Sequence, residues 1–94
     1  MLPEERDRRI KKMMEEDAEL LTRKGADYSG TKDALKNFRR HGAKGLLVRI
    51  GDKYERLDTL LWNSREPLVD ETLIDTLRDL RNYAYLLQLV LEEE

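Results

Sequence analysis

The sequence predicts an all-α fold, a small bundle of about four helices with residues 1–94 forming a single helical domain. Apolar residues return every three or four positions through three long segments, the signature of helices with one buried face. No segment shows the strict apolar and polar alternation of a half-buried strand. Glycines, prolines and small polar residues collect in short breaks between the segments, as the connections of a helical bundle do. A chain of 94 residues buries about 60% of its unfolded surface or a little more, so a thin core and assembly as a homo-oligomer are expected.

The first helix runs from about Pro3 to Thr22. Pro3 suits a first helical position, Glu4 and Glu5 complement the positive helix end, and Ile10, Met13, Met14, Ala18 and Leu21 recur at helical spacing. The segment Lys24-Gly25-Ala26-Asp27-Tyr28-Ser29-Gly30-Thr31 then gathers turn formers and reads as the longest non-helical stretch. Thr31 can cap a short second helix anchored by Leu35 and Phe38, which stops near His41-Gly42. A third helix extends from about Ala43 to Trp62, with Leu46, Ile50, Tyr54, Leu57, Leu60 and Leu61 as its apolar stripe. Gly51 interrupts it and reads as a close-packing contact. Asn63-Ser64-Arg65-Glu66-Pro67 forms the next loop, because Pro67 disfavours a helical Glu66. The fourth helix spans about Val69 to Glu92, carried by Leu73, Leu77, Leu80, Ala84, Leu87 and Leu91.

Composition narrows the function classes. Charged residues make up 40% of the chain yet leave a net charge of only -2, which denies the chain the positive field that phosphate-backbone binding requires. Nucleic acid is therefore not the expected partner. The absence of cysteine removes disulfides and thiolate metal sites. No apolar run approaches the ~18 residues of a membrane span, and the N-terminal residues lack the apolar stretch of a secretory signal. A cytoplasmic protein without membrane contact is the expectation.

The informative polar pattern lies on the last two long helices. At about 100° per residue, Asp75, Asp79 and Asn82 flank the Leu73/Leu77/Leu80 face, and the same flank continues as Tyr83, Leu86 and Val90. On the third helix Arg49, Asp52, Lys53 and Arg56 cluster beside the Leu46/Ile50/Leu57 stripe. Two readings stay open. In one, Arg49 and Arg56 form structural ion pairs with Asp75 and Asp79. In the other, Asp52, Glu55, Asp75 and Asp79 supply ligands for Mg²⁺, while Lys24, Arg49, Lys53 and Arg56 hold phosphate oxygens. Asn82 joins this set as a ligand-facing amide. Asp27-Tyr28 offers a ring to stack on a base or, equally, a cap on the bundle end. Asn37 reads as a surface amide and His41 as a helix stop, with no Ser or Cys nucleophile placed beside it. Trp62 reads as packing at the end of the third helix or as an interface anchor, Met13 and Met14 as core or interface filler, and Arg8-Arg9-Lys11-Lys12 as a solvated face.

Lys24-Gly25-Ala26-Asp27-Tyr28-Ser29-Gly30, Asn37-Phe38, Gly45-Leu46-Leu47-Val48-Arg49-Ile50-Gly51-Asp52-Lys53-Tyr54-Glu55-Arg56-Leu57 and Asp75-Thr76-Leu77-Arg78-Asp79-Leu80-Arg81-Asn82-Tyr83-Ala84 occur in that order. Together they resemble the nucleotide modification associated domain of phage and bacterial proteins, over most of residues 20 to 90. More distantly, the chain is similar to the all-α nucleoside triphosphate pyrophosphatases of the MazG type. Asp52 and Glu55 resemble the first carboxylate pair of that group in spacing. Thr76 stands where the second motif would place a Glu, and the loss of that metal ligand argues against hydrolysis. A short chain with phosphate-binding cations and an incomplete catalytic carboxylate set points to a phage-type small-nucleotide-binding protein that captures its ligand through Arg and Lys contacts to phosphate, with a cyclic or dinucleotide defence signal of the host as one candidate. The alternatives are a Mg²⁺-dependent nucleotide pyrophosphohydrolase or accessory factor, and a structural interaction module whose charged stripes are interface salt bridges.

Overall fold

A computed structural model describes residues 1–28, 34–63 and 71–93, without the side chains of 25–28 and 71. The fold is all-α: α1 (Pro3–Tyr28), α2 (Lys36–Arg39), α3 (Gly42–Asn63) and α4 (Glu71–Glu93), with no strand among the described residues. None of the helices is long and apolar enough to cross a membrane. The backbone divides into two compact units, Met1–Ala34 around α1 and Leu35–Glu94 around α2, α3 and α4.

In the first unit the helix is longer than the sequence suggests. It continues through Gly25 to Tyr28, so residues 24–28 of the expected loop are helical, while 29–33 lie outside the described residues. One glycine costs a helix about 1 kcal/mol relative to alanine, which the flanking Arg23, Lys24 and Ala26, all good helix formers, offset. Ile10, Met13 and Met14 of its apolar stripe stay 41–51% exposed, whereas Asp17 is fully buried. Thr22 donates its hydroxyl to the Ala18 carbonyl at 3.0 Å.

The second unit is a helical hairpin with a short helix at one end. α2 is a single turn whose first carbonyl, that of Leu35, accepts the N–H groups of Phe38 and Arg39 at 3.0 Å each. No side chain caps it, and Thr31, the expected cap, lies outside the described residues. Leu35 is buried, and Arg39 pairs with Glu93 on the last turn of α4. Gly42 turns the chain into α3 with φ of 65°, a left-handed conformation that costs a residue with a Cβ roughly 1–2 kcal/mol.

α3 and α4 run antiparallel. Lys53 meets Asp79, and toward the start of α3, Leu46 and Arg49 share a groove with Tyr83, further along α4. On α3 the residues turned inward are Leu46, Ile50, Lys53, Leu57 and Leu60, a four-three repeat like that of a coiled-coil seam. Tyr54 and Leu61, assigned to the stripe from spacing, are each 63% exposed, and Lys53 takes the inward position instead. The buried residues of α4 are Leu73, Thr76, Asn82, Leu86 and Val90. That face is rotated about a third of a turn from the Leu77/Ala84/Leu91 stripe, at ~100° per residue, and Leu91 is 52% exposed. The flank that carries Asp79 and Asn82 is thus part of the core face, while Asp75 stays exposed. That flank can be buried because Thr76 donates its hydroxyl to the Thr72 carbonyl at 2.7 Å and Asp79 has a cationic partner.

The two helical glycines of α3 have opposite surroundings. A Cβ on Gly45 would lie 2.6 Å from the Cβ of His41, whereas one on Gly51 would meet nothing within 4 Å, so Gly51 is not the close-packing contact its position suggested. Gly45→Ala is therefore expected to destabilise the protein by about 1–3 kcal/mol through overpacking. Gly51→Ala should stabilise it by up to about 1 kcal/mol through helix propensity. Urea denaturation in dilute protein, where only intrachain contacts contribute, measures both, and equal signs would contradict this description.

Candidate functional site

The α2–α3 turn and the start of α3 create an open groove of about 490 Å³. Gly45 carries no Cβ, so His41 lies over the first turn of α3, and the Gly45 N–H meets the His41 carbonyl at 3.3 Å. The groove is lined by Asn37, Phe38 and His41 from α2 and the turn, by Gly42, Gly45, Leu46, Val48, Arg49 and Asp52 from α3, and by Tyr83 from α4. Leu46 is buried, Phe38 and Tyr83 are partly buried, and Arg49, Asp52 and His41 are exposed. A volume of this size lies within the ~300–1,000 Å³ typical of small-molecule sites. Chemically the groove offers the rings of Phe38 and Tyr83, an imidazole, two aliphatic residues, an amide, a guanidinium and a carboxylate. It also lies at the N-terminus of a 22-residue helix, whose unpaired N–H groups and dipole favour an anion.

Arg49 and Asp52 are the two sequence-assigned site residues that line this groove. Lys53 lies one turn beyond Arg49 but turns into the seam, where its Nζ is 3.2 Å from Asp79 Oδ2 with both side chains about two-thirds or more buried. Asp75 pairs within its own helix, 3.6 Å from Arg78. Arg56 and Glu55 are exposed. The structural ion pairs thus differ from those expected: Lys53 and Arg78, not Arg49 and Arg56, face Asp79 and Asp75. Nor do Asp52, Glu55, Asp75 and Asp79 form a preformed metal site, since the described residues contain no group of three or more His, Asp or Glu placed to hold an ion. Asp79 is engaged by an ammonium, Asp75 faces solvent at 66% exposure, and a shared cation would need both rearranged. Lys24 is exposed on α1, in the first unit, and the side chains of Asp27 and Tyr28 lie outside the described residues.

Asn82 is buried at 6% exposure, and its Oδ1 has no hydrogen-bond partner. A buried amide oxygen left without a donor costs about 1–3 kcal/mol. It lies beside Tyr83 in sequence and one turn from Asp79, but it does not line the groove.

Sequence reasoning missed the contribution of Phe38, His41, Gly45 and Tyr83. A usable signal was present: Asn37, His41 and Gly45 recur at four-residue spacing across a glycine at which the chain changes direction. It also missed Asp17, an acid placed among Met13, Met14 and Leu21 at helical spacing. Compared with protein-family models, curated proteins and solved structures, the chain matches none.

The Lys53–Asp79 pair can be tested apart from any ligand. Asp79→Asn leaves a half-buried ammonium facing a neutral amide and should cost about 1 kcal/mol or more. The double variant Lys53→Met, Asp79→Leu should recover wild-type stability or exceed it, because apolar replacement of a desolvated pair is often neutral or better. A double variant less stable than Asp79→Asn in urea denaturation would show that the pair does not have this role.

Proposed function

We propose that this protein binds a small nucleotide in the groove at the start of α3. The observation that carries this reading is the coincidence in one groove of an exposed guanidinium, the N-terminus of a long helix and two aromatic rings. Arg49 meets a phosphate with its planar fork, assisted by the helix N-terminus. Phe38 and Tyr83 provide surfaces for the base, a contact worth ~1–3 kcal/mol per base in nucleic-acid binders. Asp52 is the carboxylate available at the groove to a Mg²⁺ ion that accompanies the phosphates. The resemblance to the nucleotide modification associated domain of phage and bacterial proteins is in keeping with a nucleotide ligand, and a cyclic or dinucleotide host-defence signal is one candidate for it.

Binding without turnover is the form the site favours. A pyrophosphohydrolase needs carboxylates gathered around metal, and the ammonium of Lys53 engages the acid on α4 best placed to contribute.

Thermal-shift and product analysis with mono-, di- and cyclic nucleotides, with and without Mg²⁺, tests the reading. A rise in melting temperature with the nucleotide recovered intact is the expected result. Released pyrophosphate would replace the binder with the enzyme, and no response to any nucleotide would leave the interaction module. Arg49→Ala should reduce the nucleotide-induced shift at least about tenfold in affinity, the loss of one charge-assisted contact, with helical circular dichroism unchanged. Asn82→Leu should keep or raise the stability of the free protein in urea denaturation, because it removes a buried oxygen that has no donor, and a loss of stability would assign Asn82 a structural role.

A further inference from the structure

The outer face of α3 is apolar and exposed: Leu47, Val48, Tyr54 and Leu61 are 60–63% exposed and Trp62 is 82% exposed. Leu47, Gly51, Tyr54, Asp58 and Leu61 form a second four-three repeat, displaced by one residue from the seam that packs on α4 and so ~100° around the helix. Isolated apolar residues on a surface need no explanation, but a heptad-spaced row of them marks an interaction face. Gly51, in the middle of the row, leaves an open notch, and Tyr54 projects one turn away.

We propose that this face pairs with the same face of a second copy, the two α3 helices running antiparallel about a two-fold axis between Gly51 and Tyr54. Each Tyr54 then seats over the other copy's Gly51, a large ring over a position without a side chain. Charge selects this arrangement. Lys44, near the start of the row, and Asp58, near its end, are exposed, and neither pairs with any described residue. Antiparallel pairing about this axis sets each Lys44 level with the other copy's Leu61 and one turn, so within side-chain reach, from its Asp58. Parallel pairing would set lysine beside lysine and acid beside acid. A two-fold interface repeats every contact, so each ion pair occurs twice. Val48 belongs both to this face and to the groove, so the second copy borders the groove's rim.

Sedimentation equilibrium of the full chain is expected to give a dimer for the wild type. Lys44→Glu and Asp58→Lys, each alone, should raise the dimer dissociation constant by about tenfold or more through repeated like-charge contacts. Mixing the two variants should restore dimers, because each heterodimer regains opposite charges at both ends. Gly51→Leu should abolish the dimer by filling the tyrosine seat while leaving the chain folded, as circular dichroism reads directly. A monomeric wild type, or a dimer indifferent to both charge reversals, would overturn the proposal. Equimolar mixing that fails to restore association would overturn the antiparallel arrangement.

Discussion

The ion pair between Lys53 and Asp79 fixes how the second unit is put together. It lies midway along the α3–α4 seam, between leucines at either end, and it joins one position on each helix. Sliding the helices by one turn would keep much of the leucine contact but strand an ammonium and a carboxylate in partly desolvated positions. Apolar packing alone supplies attraction with weak discrimination between such registers; a charged pair supplies the discrimination at some cost in desolvation. With that register set, Tyr83 reaches the level of Leu46 and Arg49, and the groove acquires its α4 residue.

The groove follows from local stereochemistry as much as from packing. A left-handed glycine at 42 reverses the chain, and the missing Cβ at 45 lets His41 lie against the new helix. Because the turn brings α2 alongside the start of α3, an aromatic ring and an imidazole stand beside the end of a helix whose first N–H groups have no intrahelical acceptor. Arg49, about two turns into α3, can then act at the same place as that dipole. The seam uses the lysine at 53, and the groove keeps the arginine at 49. Two cations four residues apart in sequence thereby serve different ends, one structural and one available to a ligand.

Much of the helical architecture was legible in the sequence, because amphipathic spacing in Leu46, Ile50 and Leu57 and in Leu73, Leu86 and Val90 is a backbone-level signal. The facing was less legible. α4 is apolar over more than half its circumference, so its Leu77/Ala84/Leu91 stripe and its Leu86/Val90 stripe fit a helix equally well. Only the identity of the partner helix, and the lysine it presents, decides between them. The acids were recognised as clustered but assigned the wrong cations, since spacing along one helix does not fix register against another. The turn formers clustered over residues 24–31 suggest a loop, although the single glycine among residues 24–28 costs a long helix too little to stop it. The groove itself was the least visible part: it depends on a turn conformation and on the absence of a methyl group at residue 45, neither of which periodicity records.

Four residues make too short a helix to persist unaided, because nucleating a turn costs more than one hydrogen bond returns. α2 is such a helix, and its outer end is held by Arg39 to Glu93, 54 positions further along the chain. Phe38, the aromatic wall carried by α2, is therefore held by packing against α3 and α4, with the far end of α4 as one of its supports. Fraying at Glu93 would be felt in the groove as a loosened wall, and a guest lodged there would in turn tighten a terminus it never touches. If the groove holds a ligand as proposed, its affinity is in this sense partly a property of the final helical turn.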